Sequence, residues 1–379
     1  MKPSALALSV ALALVFPAVA AADDLAVIVG FHGQTDGAIF ERHGGRPTTD
    51  LSGINALAGR VPAGRLKALR AEPGVAYVEE DRVRQAIFTP NDYYYAGYQA
   101  DDFGLINCPL AWDLSKGDGI RVAVLDTGCQ TAHPDISGKV KVSRNFTSSR
   151  VTDVSDKDGH GTHTAGTVGA RTNNKAGKFN GGVASAGFNC ELAIGKVLGP
   201  QGGYDSWVAA GINWSWQSAG AKVVNMSLGA EGFSQALENA VNAAWANNVV
   251  VVAAAGNSGA DGSNFYPAAS GNCISVAAVN SAGEMASFSN FGPAVDIAAP
   301  GVAITSTYKG SVYANMSGTS MAAPHVAGVA ALVWNGPFGG SADRVRKQLL
   351  GSATRTVTGT NAGTLEVLDA YASLTVFVP

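Results

Sequence analysis

Charge is scarce in this chain of 379 residues: 15% of them are Asp, Glu, Lys or Arg, and the formal net charge is -3. That balance supplies no electrostatic case for nucleic acid or an anionic membrane surface as a partner. Long apolar runs are missing as well. The N-terminal run over residues 5–16 falls short of the roughly 20 residues that a helix needs to cross a bilayer, and nothing later reaches that length. Cysteine is confined to Cys108, Cys129, Cys190 and Cys273, none with the short paired spacing of a zinc site. No internal repeat occurs. What the chain has in quantity is glycine, 47 residues on a background that is 46% hydrophobic, which describes a compact, loop-rich globular protein and excludes a disordered or coiled-coil one.

The first residues read as an export signal over residues 1–22: Lys2, then the apolar run, then the small-residue pattern Ala18-Val19-Ala20 ahead of a polar stretch. An exported chain meets an oxidising compartment, where four cysteines permit two disulfides in three connectivities. A single core stops growing at roughly 250 to 300 residues, so a smaller unit is expected beside the main one. Residues 23–87 fit that part, with strands at 25–29 and 75–78, a helix over 63–71 and an acidic end, Glu79-Glu80-Asp81. From about residue 105 the pattern changes to β-branched runs at 120–125, 192–198, 223–228, 249–255 and 274–279. They alternate with helical segments at 161–170, 206–218, 233–245, 320–334 and 342–350, for which Asp205 and Ser341 are suitable N-caps. The fold class that follows is α/β, a doubly wound and mostly parallel sheet with helices on both faces, over residues 88–379.

Three stretches carry chemistry. A serine hydroxyl is a poor nucleophile until a base takes its proton and a carboxylate fixes that base. Asp126 ends the buried run 121–125, where a strand delivers a carboxylate to the rim of a sheet. Asp158-Gly159-His160-Gly161-Thr162-His163 offers two histidines three residues apart at the start of a helix. Either could be the base, and the pair could also ligate a metal, but no glutamate stands between them and no third ligand is near. His133 and His325 lack such a setting and read as structural. Ser320 lies in residues 315–328, at the first turn of a helix whose free N–H groups face a developing negative charge, with Pro324 near that helix's start.

Taken in order, these motifs are similar to those of subtilisin-type serine proteases. The resemblance implies a triad of Asp126, His160 and Ser320, and it selects His160 over His163. It implies that Asn257, in residues 253–257, donates to an oxyanion together with the Ser320 N–H. It places Ala255 and Gly256, and the segments Gly202-Gly203-Tyr204 and Ser227-Leu228-Gly229, along a peptide-binding cleft that reads substrate backbone. Residues 75–81 resemble the end of a propeptide that acts as intramolecular chaperone and inhibitor, with a self-cleavage site near Ile87 and Phe88. The expected protein is a secreted, monomeric, broadly specific endopeptidase with protein and peptide substrates, no cofactor for catalysis, no nucleic-acid or membrane partner, and room for structural calcium. Residues 171–182 lie where relatives bind calcium, yet contain no Asp or Glu; Asp296 resembles a ligand of a second, weaker site, and equally suits a salt bridge. An esterase of the α/β-hydrolase type is excluded, since residues 318–322 fail G-x-S-x-G and the order of the triad differs. A catalytically inactive relative serving as a binding protein would not need all four catalytic side chains. The walls of the first side-chain pocket, 227–230 and 253–257, and its base, 264–268, carry no charge, which points to cleavage after apolar or aromatic residues. Phe265 either makes that pocket shallow or turns into the core.

Overall fold

A computed structural model of the protein describes residues 24–82, 88–174, 182–359 and 363–379. The expected export signal lies outside them. The chain divides into two compact units between Ala86 and Ile87. In the first, four antiparallel strands run in the order Arg46–Leu51, Ala56–Pro62, Asp24–Phe31, Val75–Glu80. Val27, Val29 and Phe31 alternate onto one face and meet Ile39, Phe40 and Leu69 from two short helices. The helix read over 63–71 is split, a 3-10 turn at Ala63–Arg65 leading into Leu66–Arg70. The edge strand Arg46–Leu51 has no buried residue, so it leaves no apolar alternation in the sequence.

The second unit is built on a nine-stranded sheet. Its order is Arg355–Thr356, Glu366–Val367, Ile297–Pro300, Cys273–Val279, Val250–Ala254, Val223–Met226, Arg121–Asp126, Glu191–Lys196, Val140–Asn145. Every neighbouring pair is parallel except the first. Both faces are covered, which is why the strands read as continuous apolar runs. Val122 and Val124 enter the core formed with the helices His160–Gly169 and Thr319–Trp334, whereas Ala123 and Leu125 enter the one formed with Asp205–Gln217 and Gln235–Ala246. Strand Arg121–Asp126 has later strands on both sides, so the chain reverses its direction of travel across the sheet there. In sheets of this kind the crevice beyond the carboxyl ends at such a point is where ligands bind.

Two expectations need correction. The four thiols do not pair: Cys108, Cys129, Cys190 and Cys273 are all free and buried. They sit on separate elements, the first three in one core and Cys273 in the other, where burial pushes each thiol up and each acts as a small apolar filler. Ser341 caps its helix by accepting from Arg344 N–H at 3.3 Å, but Asp205 caps nothing. Tyr204 holds the N-cap position with extended backbone, and Asp205 is the first helical residue. Among the described residues no helix is long and apolar enough to cross a membrane.

Candidate active site

Asp126 stands fully buried at the carboxyl end of strand Arg121–Asp126. Its Oδ1 accepts from His160 Nδ1 at 2.8 Å and from the Thr127 N–H at 2.7 Å, and its Oδ2 accepts from Thr164 Oγ1 at 3.2 Å. His160 opens its helix. Gly161, the next residue, passes so close to the Gly128 carbonyl that a Cβ would lie 2.2 Å from the oxygen, so the histidine motif and the aspartate motif approach each other only because this position is glycine. Burial alone would lower the imidazole. The carboxylates of Asp126, Asp158 and Asp156 outweigh it and raise His160 to about 9.

A carboxylate that sequence reasoning passed over ties the two motifs together. Asp156, 8% exposed, accepts from Thr127 Oγ1 (2.9 Å), Asp158 N (3.1 Å), Gly159 N (2.8 Å), Thr162 N (2.9 Å) and Thr162 Oγ1 (2.6 Å). Thr127 Oγ1 in turn accepts from the Gly161 N–H at 2.9 Å. The only signal in the sequence was an acid two residues before Asp158, which any turn also shows. His163, by contrast, is fully buried, with Nε2 against the carbonyls of Ile304 (2.9 Å) and Ala314 (3.1 Å), and burial lowers it to about 4. The geometry thus separates the two histidines that the bare sequence left open. His133 and His325 bind the carbonyls of Val312 and Met321 and are structural, as expected.

Ser320 is the only residue of the Thr319–Trp334 helix that is not buried. Its Oγ donates to the Ser227 carbonyl at 3.1 Å, while Ser227 Oγ donates to the Ser320 carbonyl at 2.7 Å. Pro324 explains the second bond: lacking an N–H, it leaves the carbonyl four residues back without a helical partner, and Ser227 supplies one. Asn257 Oδ1 accepts from Thr319 N–H (2.8 Å) and Thr319 Oγ1 (2.9 Å), which turns its amide nitrogen toward Gly318 and the first-turn N–H of Ser320. Ala255 and Gly256 are buried, on the wall of the first pocket that faces Phe265. Their backbone groups bond to Val276, Asn290 and Thr319, so they hold Asn257 in place.

The cleft beside His160 has a volume of about 530 Å³ and is lined by Gly202, Gly203, Ser227, Leu228 and Gly229, with Tyr266 and Pro267 beneath. Tyr204 instead lines a neighbouring hollow with Trp207. Phe265 is half-buried between the two walls of the first pocket: a Cβ on Gly229 would meet its ring at 2.4 Å and one on Gly256 at 3.2 Å. Asp296 shows the salt-bridge arrangement, with Oδ2 accepting from Ser275 N–H at 2.8 Å and Oδ1 3.5 Å from Arg346. Among the described residues no three His, Cys, Asp or Glu side chains gather as a metal site. Two carboxylates and an amide do gather elsewhere. Asp92 accepts from Asn173 N–H at 2.9 Å, Asp135 accepts from Asn174 Nδ2 at 2.9 Å, and Asn174 Oδ1 is buried without a partner among the described residues.

Residues 117–371 match the profile of the subtilase family. Thermophilic serine proteinase of Bacillus sp. (strain AK1) is 46% identical over 272 residues, 71% of this chain, which spans about 65% of that relative's length. Thermitase of Thermoactinomyces vulgaris is 42% identical over 277 residues, 72% of this chain and 94% of the relative. Among solved structures, one of proteases from Pseudoalteromonas arctica PAMC 21717 superposes with a TM-score of 0.68 at 34% identity, covering 76% of this chain and 99% of the other. A cold adapted subtilisin-like serine proteinase gives 0.61 at 33%, covering 76% and 96%. With two thirds of its length inside the family profile and with solved relatives of the same fold, the chain belongs to the subtilase family.

Proposed function

We propose that this serine endopeptidase works through Ser320, His160, Asp126 and Asn257. His160 Nε2 takes the Oγ proton as Ser320 attacks a peptide carbonyl, and Asp126 stabilises the imidazolium. Asn257 and the Ser320 N–H donate to the oxyanion. The proton then passes to the leaving amine, and water releases the acyl group from Ser320 by the same steps in reverse. The observation that carries this reading is the 2.8 Å bond from His160 Nδ1 to a fully buried Asp126 carboxylate, which fixes the ring and leaves its other nitrogen for the serine. Substrate is held as an added strand between 202–203 and 227–229, which reads main chain and so accepts many sequences. Ser320→Ala must abolish casein hydrolysis while the folded protein persists; near-normal hydrolysis by that variant would end the reading. A serine-reactive phosphonate that fails to label the unaltered protein would favour an inactive binding protein.

The wider life of the chain belongs to the same proposal. It is exported, its unit before Ile87 serves as chaperone and inhibitor, and it is cut by its own active site near Ile87 and Phe88, after which it acts as a monomer. The division of the chain between Ala86 and Ile87 supports that junction. A Ser320→Ala chain that still matured there when made alone would show the cut to be another enzyme's. Structural calcium suits Asp92, Asp135 and Asn174: the orphaned Asn174 Oδ1 and two carboxylates are the hard oxygen donors that ion takes. Its contribution there would be to fasten residues 92, 135 and 174 to one another, with no part in the reaction.

A further inference from the structure

We infer that Asn290 is a positioning residue for the oxyanion site, acting through Asn257 without touching substrate. The inference rests on the endopeptidase reading and deepens it. Asn257 lies beyond the end of strand Val250–Ala254, where the chain has left the ladder and its buried N–H and carbonyl groups need other partners. Asn290, 3% exposed, comes from the turn that precedes strand Ile297–Pro300 and supplies them from both ends of its side chain. Its Nδ2 donates to the Ala255 carbonyl at 2.9 Å, and its Oδ1 accepts from the N–H of Ser258 at 3.0 Å and of Ala260 at 3.3 Å. Its own N–H donates to the Gly256 carbonyl at 2.9 Å. One residue thus grips the chain on both sides of Asn257. Gly256 permits that approach, since its φ is +106° and a Cβ there would lie 2.3 Å from Asn290 Nδ2.

The turn has other ties, and they act at different places. Backbone bonds run from Gly259 N–H to the Phe288 carbonyl (2.8 Å), from Phe291 N–H to the Ala260 carbonyl (3.0 Å) and from Gly262 N–H to the Phe291 carbonyl (2.8 Å). They lie past Asn257 and hold the two turns together whatever side chain stands at 290. The Asn290 amide adds Ala255 and Ser258, the near neighbours of Asn257. From the opposite side Thr319 holds the Asn257 Oδ1 with its N–H and its hydroxyl. The Asn257 amide nitrogen is therefore aimed by two fixtures, the helix start at its side chain and Asn290 at its backbone. A donor to an oxyanion works at about 2.7–3.1 Å from where the charge develops, and a misplacement of about 1 Å can cost on the order of 100-fold in rate. Slack in residues 255–258 weakens a bond that exists only in the transition state, so its loss falls on kcat and leaves KM in place.

The test is a double-mutant cycle: Asn290→Ala and Asn290→Ser, each in the parent and in Asn257→Ala, with kcat and KM measured on one peptide substrate. Active sites are counted with a serine-reactive phosphonate, so misfolded molecules do not enter the rates. In the parent each substitution should lower kcat on the order of 10-fold with KM within about twofold. In Asn257→Ala the same substitutions should cost less than about twofold, because the donor they misplace is already gone. If Asn290→Ala does not fold, Asn290→Ser, whose hydroxyl can keep one bond of the turn, carries the cycle. Equal losses in the two backgrounds, or no loss in the parent, would show a turn that is only structural; that overturns the inference and leaves the endopeptidase reading standing. If the parent hydrolyses no peptide in a way that the phosphonate blocks, the endopeptidase reading fails and this inference with it.

Discussion

Asp156→Asn removes one charge and one acceptor from the carboxylate that joins the aspartate and histidine loops. Asp156 Oδ1 serves Thr127, Asp158 and Gly159, and Oδ2 serves both the N–H and the hydroxyl of Thr162. If the amide oxygen keeps the first group, its NH2 faces Thr162. The threonine hydroxyl can rotate to accept, but the Thr162 N–H is left with no acceptor, which costs about 1–3 kcal/mol, and the remaining bonds lose their charge assistance. A total of about 3 kcal/mol follows, or roughly 6 °C for a unit of this size. The assay is thermal unfolding at a fixed scan rate in a Ser320→Ala background, which removes self-digestion. Burial would raise the Asp156 carboxyl, but its hydrogen bonds hold it below the ordinary value of 3.8. Its stabilising effect is therefore present above the unfolded pKa and lost as pH falls through the folded one. The gap between parent and variant should be full at pH 7 and close below about pH 4. With Ser320 restored, kcat/KM should fall on the order of 10- to 100-fold as His160 and Asp126 lose their common anchor. A variant within about 0.5 kcal/mol of the parent, or a gap that does not change with pH, would refute the argument.

A general base must be neutral to accept a proton, so with His160 raised to about 9, kcat/KM should climb through the alkaline range. Asp158→Asn should move that midpoint down, since it removes one of the raising charges. Asn257→Ala should lower kcat on the order of 10²–10³-fold with KM little changed, a magnitude known from subtilisin itself. Phe265→Gly should deepen the first pocket and improve cleavage after large aromatic residues relative to alanine, read from kcat/KM on paired peptides. A calcium chelator should lower the unfolding temperature of the parent but not that of Asp92→Asn, which a pair of melting curves decides.

The parts of this molecule legible in the sequence are those where one physical cause dominates. Five strands and five helices stand within a few residues of where apolar periodicity puts them, because a sheet buried on both faces leaves no room for polar residues. Arg46–Leu51 carries no such mark: it is an exposed edge held by backbone bonds to Ala56–Pro62. Likewise, Asp126, His160 and Ser320 sit in motifs whose glycines and proline are required by close approach and by a displaced helix bond. Asp156 and Asn290 lie in turns of ordinary composition, and their role emerges only from the number of backbone groups that converge on them. The cysteines misled because an even count says that pairing is possible, while the packing decides whether two sulfurs meet.

Those four sulfurs also make the folded chain a recorder of its own openings. Sealed in two cores, they cannot meet a thiol reagent while the fold is closed, so each labelling event counts an excursion that exposes a strand or helix. For a protein that digests extended chains, the same excursions offer a substrate to the neighbouring molecule. When reclosing is fast, cleavage and labelling draw on one population of open forms, so the rate at which Cys273 or Cys108 is modified, divided by the reagent's rate with an exposed thiol, gives the fraction of chains open to cleavage in those regions.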